Sequence, residues 1–167
     1  MNGSSAWYVL YTRPKLEARV SKLLQDRNIE SFLPTHRVLR FWADRKKYLE
    51  VPLFPCYVFV NTTHKERYQA LRVNGVVRFV SFLGQPAVVP ESQIHAIRAV
   101  LNEKMEFHTE PLFKVGQRVE IMGGPLEGIA GHLEEVRGKT RFIVNIDCID
   151  RSLTIEIDRS LLRVCQN

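Results

Sequence analysis

Residues 52–60 read PLFPCYVFV, and the reading of this stretch decides the fold of the first two-thirds of the chain. Prolines flank Leu53 and Phe54, after which Tyr57, Val58, Phe59 and Val60 run on without a polar break. Proline has no N–H to give to a central ladder, so the stretch is expected to begin a strand at Pro52–Pro55 and to continue in it from Cys56. Side chains alternate across a strand, which puts Tyr57 and Phe59 on one face and Cys56, Val58 and Val60 on the other. Both faces are apolar. One can line a domain core; the other must pack under a helix or meet a partner.

Upstream, Trp7–Tyr11 (WYVLY) is a second aromatic and β-branched run, predicted as a strand. Pro14 suits a first helical turn, and Leu16, Val20, Leu23 and Leu24 follow at helical spacing up to a stop at Asn28. Residues 29–33 are predicted as a short strand. The basic, aromatic segment 36–50 (HRVLRFWADRKKYLE) is predicted as a hairpin or ordered loop with Ala43-Asp44 near its middle. Downstream, Thr63 and Glu66 have the spacing of a capping box opening a helix that stops near Asn74-Gly75. Residues 76–82 form a further strand turned by Leu83–Pro86, and Pro90-Glu91 opens a last helix with Ile94, Ile97 and Leu101 on one face. The order β-α-β-β-α-β-α implies an α+β domain over residues 5–102, an antiparallel sheet with packed helices.

Residues 103–112 are polar, break the periodicity and contain Pro111, which predicts a linker. Beyond it, over residues 113–167, the pattern changes to alternation: Val119 and Ile121, then Phe142, Val144 and Ile146, then Leu153, Ile155 and Ile157, closed by Leu162 and Val164. Turns separate these runs. Five short strands in so little chain predict a small all-β barrel, because closure removes exposed edges.

The 167 residues are 45% hydrophobic and 25% charged, ordinary values for a globular protein. No run approaches the roughly 20 apolar residues of a membrane span, and the N-terminus has no secretion-signal pattern. Three widely spaced cysteines, Cys56, Cys148 and Cys165, argue against a zinc site or redox pair and suit a reduced cytoplasmic protein. The net charge of +6 lies wholly in residues 1–112, while residues 113–167 balance. A basic domain joined to a neutral one suits a polyanion near the first, or serves solubility alone. Nothing implies a cofactor, and a monomer is expected.

No catalytic set emerges. The five histidines lack metal-ligand spacing, and there is no nucleophile elbow or phosphate loop. Gly123, Gly124, Pro125, Gly128 and Gly131 are glycine-rich, but no Lys-Ser/Thr follows and strands flank them, so turn geometry explains them better than phosphate binding. The chain is not expected to be an enzyme.

Taken in order, the motifs resemble the NusG family of transcription elongation factors over nearly the whole chain. WYVLYTRPKLE (7–17) resembles the family's opening strand and helix, PLFPCYVFV its most characteristic motif, and PAVVP (86–90) its following segment. VGQRVEIMGGPLEGIAGHLEEV (115–136) resembles the KOW motif that begins its C-terminal barrel. Cys56 and Leu126 depart from the glycine and phenylalanine usual there. TRPKLE, WADRKK and PLFPCYVFV together resemble the specialised RfaH- and UpxY-like branch, which acts on particular operons such as those for capsular polysaccharide.

The resemblance implies an SH3-like C-terminal barrel and an N-terminal domain that docks on the clamp helices of the largest subunit of RNA polymerase. The matching positions are Tyr11, Phe54, Tyr57 and Phe59. It implies that Arg13, Lys15, Arg19 and Lys22 approach non-template DNA, with Arg19 alternatively on a solvated helix face. The denser group of Arg37, Arg40, Arg45, Lys46 and Lys47 fits upstream DNA or the solubility of a hairpin. It implies that the barrel recruits termination factor Rho or a ribosomal protein. RfaH's His-Thr-Thr polymerase contact is replaced here by Glu66, Arg67 and Tyr68. RfaH's barrel can refold as helices; the period-two pattern of 118–164 predicts no such switch. A rival reading is a KOW-class ribosomal or translation-related RNA-binding protein.

Overall fold

The structure is a computed structural model that describes residues 4–42, 44–111 and 116–165. Ala43 of the expected hairpin, and residues 112–115 at the end of the expected linker and the start of the expected barrel, lie outside them. The chain divides into two units, Met1–Val89 and Pro90–Asn167.

In the first unit β1 (Ala6–Thr12) is flanked by β5 (Tyr57–Thr62) on one side and by β6 (Val76–Phe79) on the other, with β2 (Glu30–Phe32) beyond β5. All pairings are antiparallel, and Leu10 faces Val58 while Val9 faces Phe59. Helices α1 (Glu17–Gln25) and α2 (His64–Leu71) follow β1 and β5. Leu10, Val58 and Val60 join Val20, Leu24, Ile29, Ala70, Val73 and Phe79 in one buried cluster. Each fully buried aliphatic side chain there contributes about 1.5–3 kcal/mol. Gly75, at φ +102°, leads into β6 where an added Cβ would lie 2.9 Å from Val20 Cγ2. The capping box at α2 is formed: Thr63 N–H donates to Glu66 Oε2 at 2.8 Å, and Glu66 N–H to Thr63 Oγ1 at 3.4 Å.

Several boundaries differ from expectation for backbone reasons. The basic segment is a hairpin of β3 (Thr35–Phe41) and β4 (Lys46–Pro52), so Pro52 closes one strand rather than opening the next. Leu53–Cys56 is a turn, because Cys56 is left-handed at φ +68° and cannot extend the strand. Lys15, at φ +65°, likewise delays α1 until Glu17. The strand expected over 76–82 is split in two. Past β6, β7 (Ser81–Phe82) turns through Leu83 and Gly84, both at positive φ, to pair β8 (Gln85–Pro86). Finally β9 (Val88–Val89) returns to the N-terminal half of β1.

The second unit opens with α3 (Glu91–Asn102), which buries Ile94, Ala96, Ile97 and Val100. Six antiparallel strands follow: β10 (Phe107–Pro111), β11 (Gln117–Ile121), β12 (Ala130–Val136), β13 (Lys139–Ile146), β14 (Arg151–Glu156) and β15 (Leu162–Val164). Their spatial order is β10-β14-β13-β12-β11-β15. Ala96 and Val100 of α3 line one apolar seam with Leu126, Ile129, Phe142, Val144, Leu153 and Ile155. α3 thus packs with the strands that follow it. Within the expected linker, Phe107–Pro111 pairs along β14 as a sixth strand, and Pro111 stands at the strand end, a position proline tolerates. Val164, which closes the alternating series, is 49% exposed.

Candidate functional site

The second face of the first sheet ends in a row of three side chains across three strands. Tyr57 on β5 pairs Tyr11 on β1, and Tyr11 pairs Arg78 on β6. The tyrosine rings meet edge-on at 5.6 Å, and the Arg78 guanidinium lies 5.3 Å from the Tyr11 ring centroid. Both tyrosines are half-buried and Arg78 is exposed. An aromatic pair with a cation beside it, open to solvent on one side, is the composition of an interface anchor.

The turn before β5 fixes this row. Cys56 N–H donates to Glu17 Oε1 at 2.8 Å, and Thr12 N–H donates to the Cys56 carbonyl at 2.8 Å. Glu17 is buried at the start of α1, so its carboxylate ties β1, α1 and the turn together. Burial, with the Glu17 carboxylate beside it, pushes the Cys56 thiol above its ordinary value and keeps it protonated.

The other two expected docking residues are placed differently. Phe59 is fully buried and Phe54 is 2% exposed, with ring centroids 6.2 Å apart; Phe32 lies 6.0 Å from Phe59 on its other side. They are buried within the first unit and do not present a surface. Arg78 has no neighbouring sequence signal. Only the β1–β6 register brings it to Tyr11.

Arg13, Lys15, Arg19 and Lys22 are all exposed on α1 and the turn leading into it. The hairpin cations Arg40, Arg45, Lys46 and Lys47 are exposed too, but the register separates them: Arg40 opposes Lys47 on one face, and Lys46 opposes Phe41 on the other. Arg45 lies 5.2 Å from the Trp42 ring at the tip. The α2 positions that replace RfaH's polymerase contact are otherwise engaged. Glu66 caps the helix, Arg67 stacks 5.1 Å over Tyr8, and Tyr68 meets His64 edge-on.

The glycines of the second unit have structural explanations. Gly124 and Gly128 are at φ +83°, and Gly128 N–H closes the turn onto the Ile121 carbonyl at 2.8 Å. Gly131 has no room for a side chain: a Cβ would lie 2.5 Å from the Ile143 carbonyl and 2.6 Å from Phe142 Cζ. Leu126, beside Pro125, is buried. Among the described residues no three His, Cys, Asp or Glu side chains cluster as metal ligands, and no helix is long and apolar enough to cross a membrane.

Comparison with known proteins gives these observations a family. Residues 5–98 match the profile of the family described as "NusG: Transcription termination factor nusG". The "Transcription termination/antitermination protein NusG" of Rickettsia bellii is 27% identical over 163 residues, covering 90% of this chain and 85% of the relative. Its namesake from Escherichia coli K12 is 27% identical over 172 residues, covering 92% and 93%. A solved structure, "Domain interaction in Thermotoga maritima NusG", matches over 98% of both chains with 25% identity and a TM-score of 0.54. An α+β first unit followed by a mostly β second unit, carrying the motifs 52–60 and 115–136, is thus the NusG architecture. The chain belongs to the NusG family of transcription termination and antitermination factors.

Proposed function

We propose that this protein binds the clamp helices of the largest subunit of RNA polymerase through the Tyr57–Tyr11–Arg78 row and suppresses pausing or termination. The observation that carries the reading is the row itself: two half-buried tyrosines and an exposed cation at the rim of an otherwise buried apolar face. Binding that is tighter to the closed clamp favours that state by the ratio of the two affinities, so no chemical step is needed to alter elongation. Phe54 and Phe59 hold the row in place without touching the partner.

The exposed cations of α1 and its leading turn, with those of the hairpin, face DNA near the clamp, where phosphate contacts add salt-dependent affinity without reading sequence. The second unit, in which acidic residues outnumber basic ones, recruits a protein, Rho or a ribosomal protein, since it carries no excess positive charge for a polyanion. Action at particular operons, of the capsular polysaccharide kind, rests on the resemblance of TRPKLE, WADRKK and PLFPCYVFV to the specialised branch.

Transcription by the cognate polymerase across a defined pause tests this. Wild type is expected to shorten the pause several-fold, and Tyr11→Ala/Tyr57→Ala to leave it as without factor. An unchanged pause at saturating wild type, or full activity of the double variant, overturns the reading.

A further inference from the structure

The Tyr57–Tyr11–Arg78 row ends at a sheet edge, because β6 is the outermost strand beside β1. Arg78 is exposed there, yet its guanidinium is held in place. It lies 5.3 Å from the Tyr11 ring centroid, and Nη1 donates to the Phe79 carbonyl at 3.4 Å. No carboxylate among the described residues pairs with it. Residues 10–17, 53–58 and 76–80, which build this end of the sheet, carry three cations, Arg13, Lys15 and Arg78, and one acid, Glu17. Glu17 is buried and already accepts the Cys56 N–H at 2.8 Å.

This end of the sheet is therefore positive and short of acceptors. A guanidinium presents several N–H donors in a planar fork, and the bond to Phe79 engages one nitrogen near the limit of hydrogen-bond range. A partner that covers Tyr11 and Tyr57 also takes water from the cation beside them. A charge so covered opposes binding unless it is paired. The partner must bring the acceptor. Along a helix the backbone carbonyls are engaged by the helix's own N–H groups, so a helical face offers side chains. The positive fork selects a carboxylate over an amide, because the ionised group accepts two parallel, charge-assisted bonds. The tyrosine rings are inclined at 60° to one another, so the row offers no parallel faces between which a base could stack, and a protein carboxylate fits it better than a phosphate.

We infer that Arg78 is a specificity-determining residue of the row, and that it takes an Asp or Glu carboxylate on the surface of the clamp helices in a two-bond ion pair. The inference rests on the polymerase reading of the row and adds the group that the partner must present. Tyr11 and Tyr57 supply contact area, whereas Arg78 sets the register. A helical face whose acid is out of step leaves the guanidinium covered and unpaired, and is rejected.

The test is titration of the clamp-helix fragment with the full chain carrying Arg78→Met, Arg78→Lys or Arg78→Glu. Beside it run fragments in which each surface Asp and Glu is changed singly to Lys. Arg78→Met keeps an unbranched stem beside Tyr11 and removes the charge and the fork; it is expected to bind at least tenfold more weakly, with circular dichroism unchanged. Arg78→Lys should recover only part of that loss, since an ammonium cannot make the planar pair. Arg78→Glu should lose more than Arg78→Met. One Lys-substituted fragment should bind wild type at least tenfold more weakly and regain tenfold or more with Arg78→Glu. Wild-type affinity in Arg78→Met, or no fragment that restores Arg78→Glu, overturns the ion pair and leaves the polymerase reading standing. Loss in Arg78→Met beside full binding by Tyr11→Ala/Tyr57→Ala overturns the tyrosine row and leaves the ion pair. No binding of the fragment by folded wild type overturns both.

Discussion

Strand β5 and the β3–β4 ribbon are neighbours in the chain, separated only by the turn at Leu53–Cys56, yet they spend their apolar residues in opposite ways. In β5, Val58 and Val60 enter the helix-side cluster while Phe59 is buried on the other face between Phe32 and Phe54. In the ribbon, Phe41, Trp42 and Tyr48 are left in water. Aromatic content alone does not separate a core strand from an exposed one. Flanking charge does: β5 carries none, and the ribbon strands carry four of the segment's five cations. Buried side chains are therefore concentrated in β5, and exposed aromatic surface in the ribbon.

The sharpest break of this contrast is Phe59→Ala, expected to cost about 3–5 kcal/mol in urea unfolding, as for a buried phenylalanine; a cost near zero would make β5 a surface strand. Gly131→Ala extends the test to the second unit. Its Cβ would press on the Ile143 carbonyl and the Phe142 ring, costing about 1–3 kcal/mol as overpacking does. Thr63→Ala, at the end of β5, should cost about 1 kcal/mol by removing the cap of α2. The bond from Thr63 N–H holds the Glu66 carboxyl below its ordinary value. Its contribution is thus complete above the ordinary carboxylate range and is lost as pH falls through the depressed folded value, a dependence best read as wild type minus Glu66→Gln.

Two smaller effects sharpen the comparison at its joint and its far side. Cys56→Gly relieves a left-handed non-glycine residue and should gain about 0.5–1 kcal/mol, net of the freer unfolded chain. Phe41→Ala/Tyr48→Ala should change stability by no more than about 0.5 kcal/mol, as exposed substitutions do. A larger loss would mean that the ribbon belongs to a core.

Local signals were legible in the sequence wherever the deciding contacts were close in the chain. The Thr63–Glu66 box lies within one helical turn, and the period-two runs of 142–146 and 153–157 report their own strands. Asn28 at φ +58° ends the α1 region as its residue type suggests. What was not legible depended on distant partners. Phe54 and Phe59 match the family's docking surface by resemblance alone; alternation shows that their face is apolar, not whether it is covered. Residues 107–111 read as a linker because they are polar around Pro111, whereas the open edge of β14 recruits their backbone. Arg78 joins the tyrosine row through a register that no local pattern encodes.

The central claim is that the half-buried Tyr57–Tyr11 row, not the buried phenylalanines behind it, meets the polymerase. Titration of an isolated clamp-helix fragment with wild type and Tyr11→Ala/Tyr57→Ala tests it most directly. The account predicts saturable binding by wild type and at least a tenfold loss in the double variant, with circular dichroism unchanged. Equal affinity of the two proteins, or no binding by the folded wild type, would contradict it.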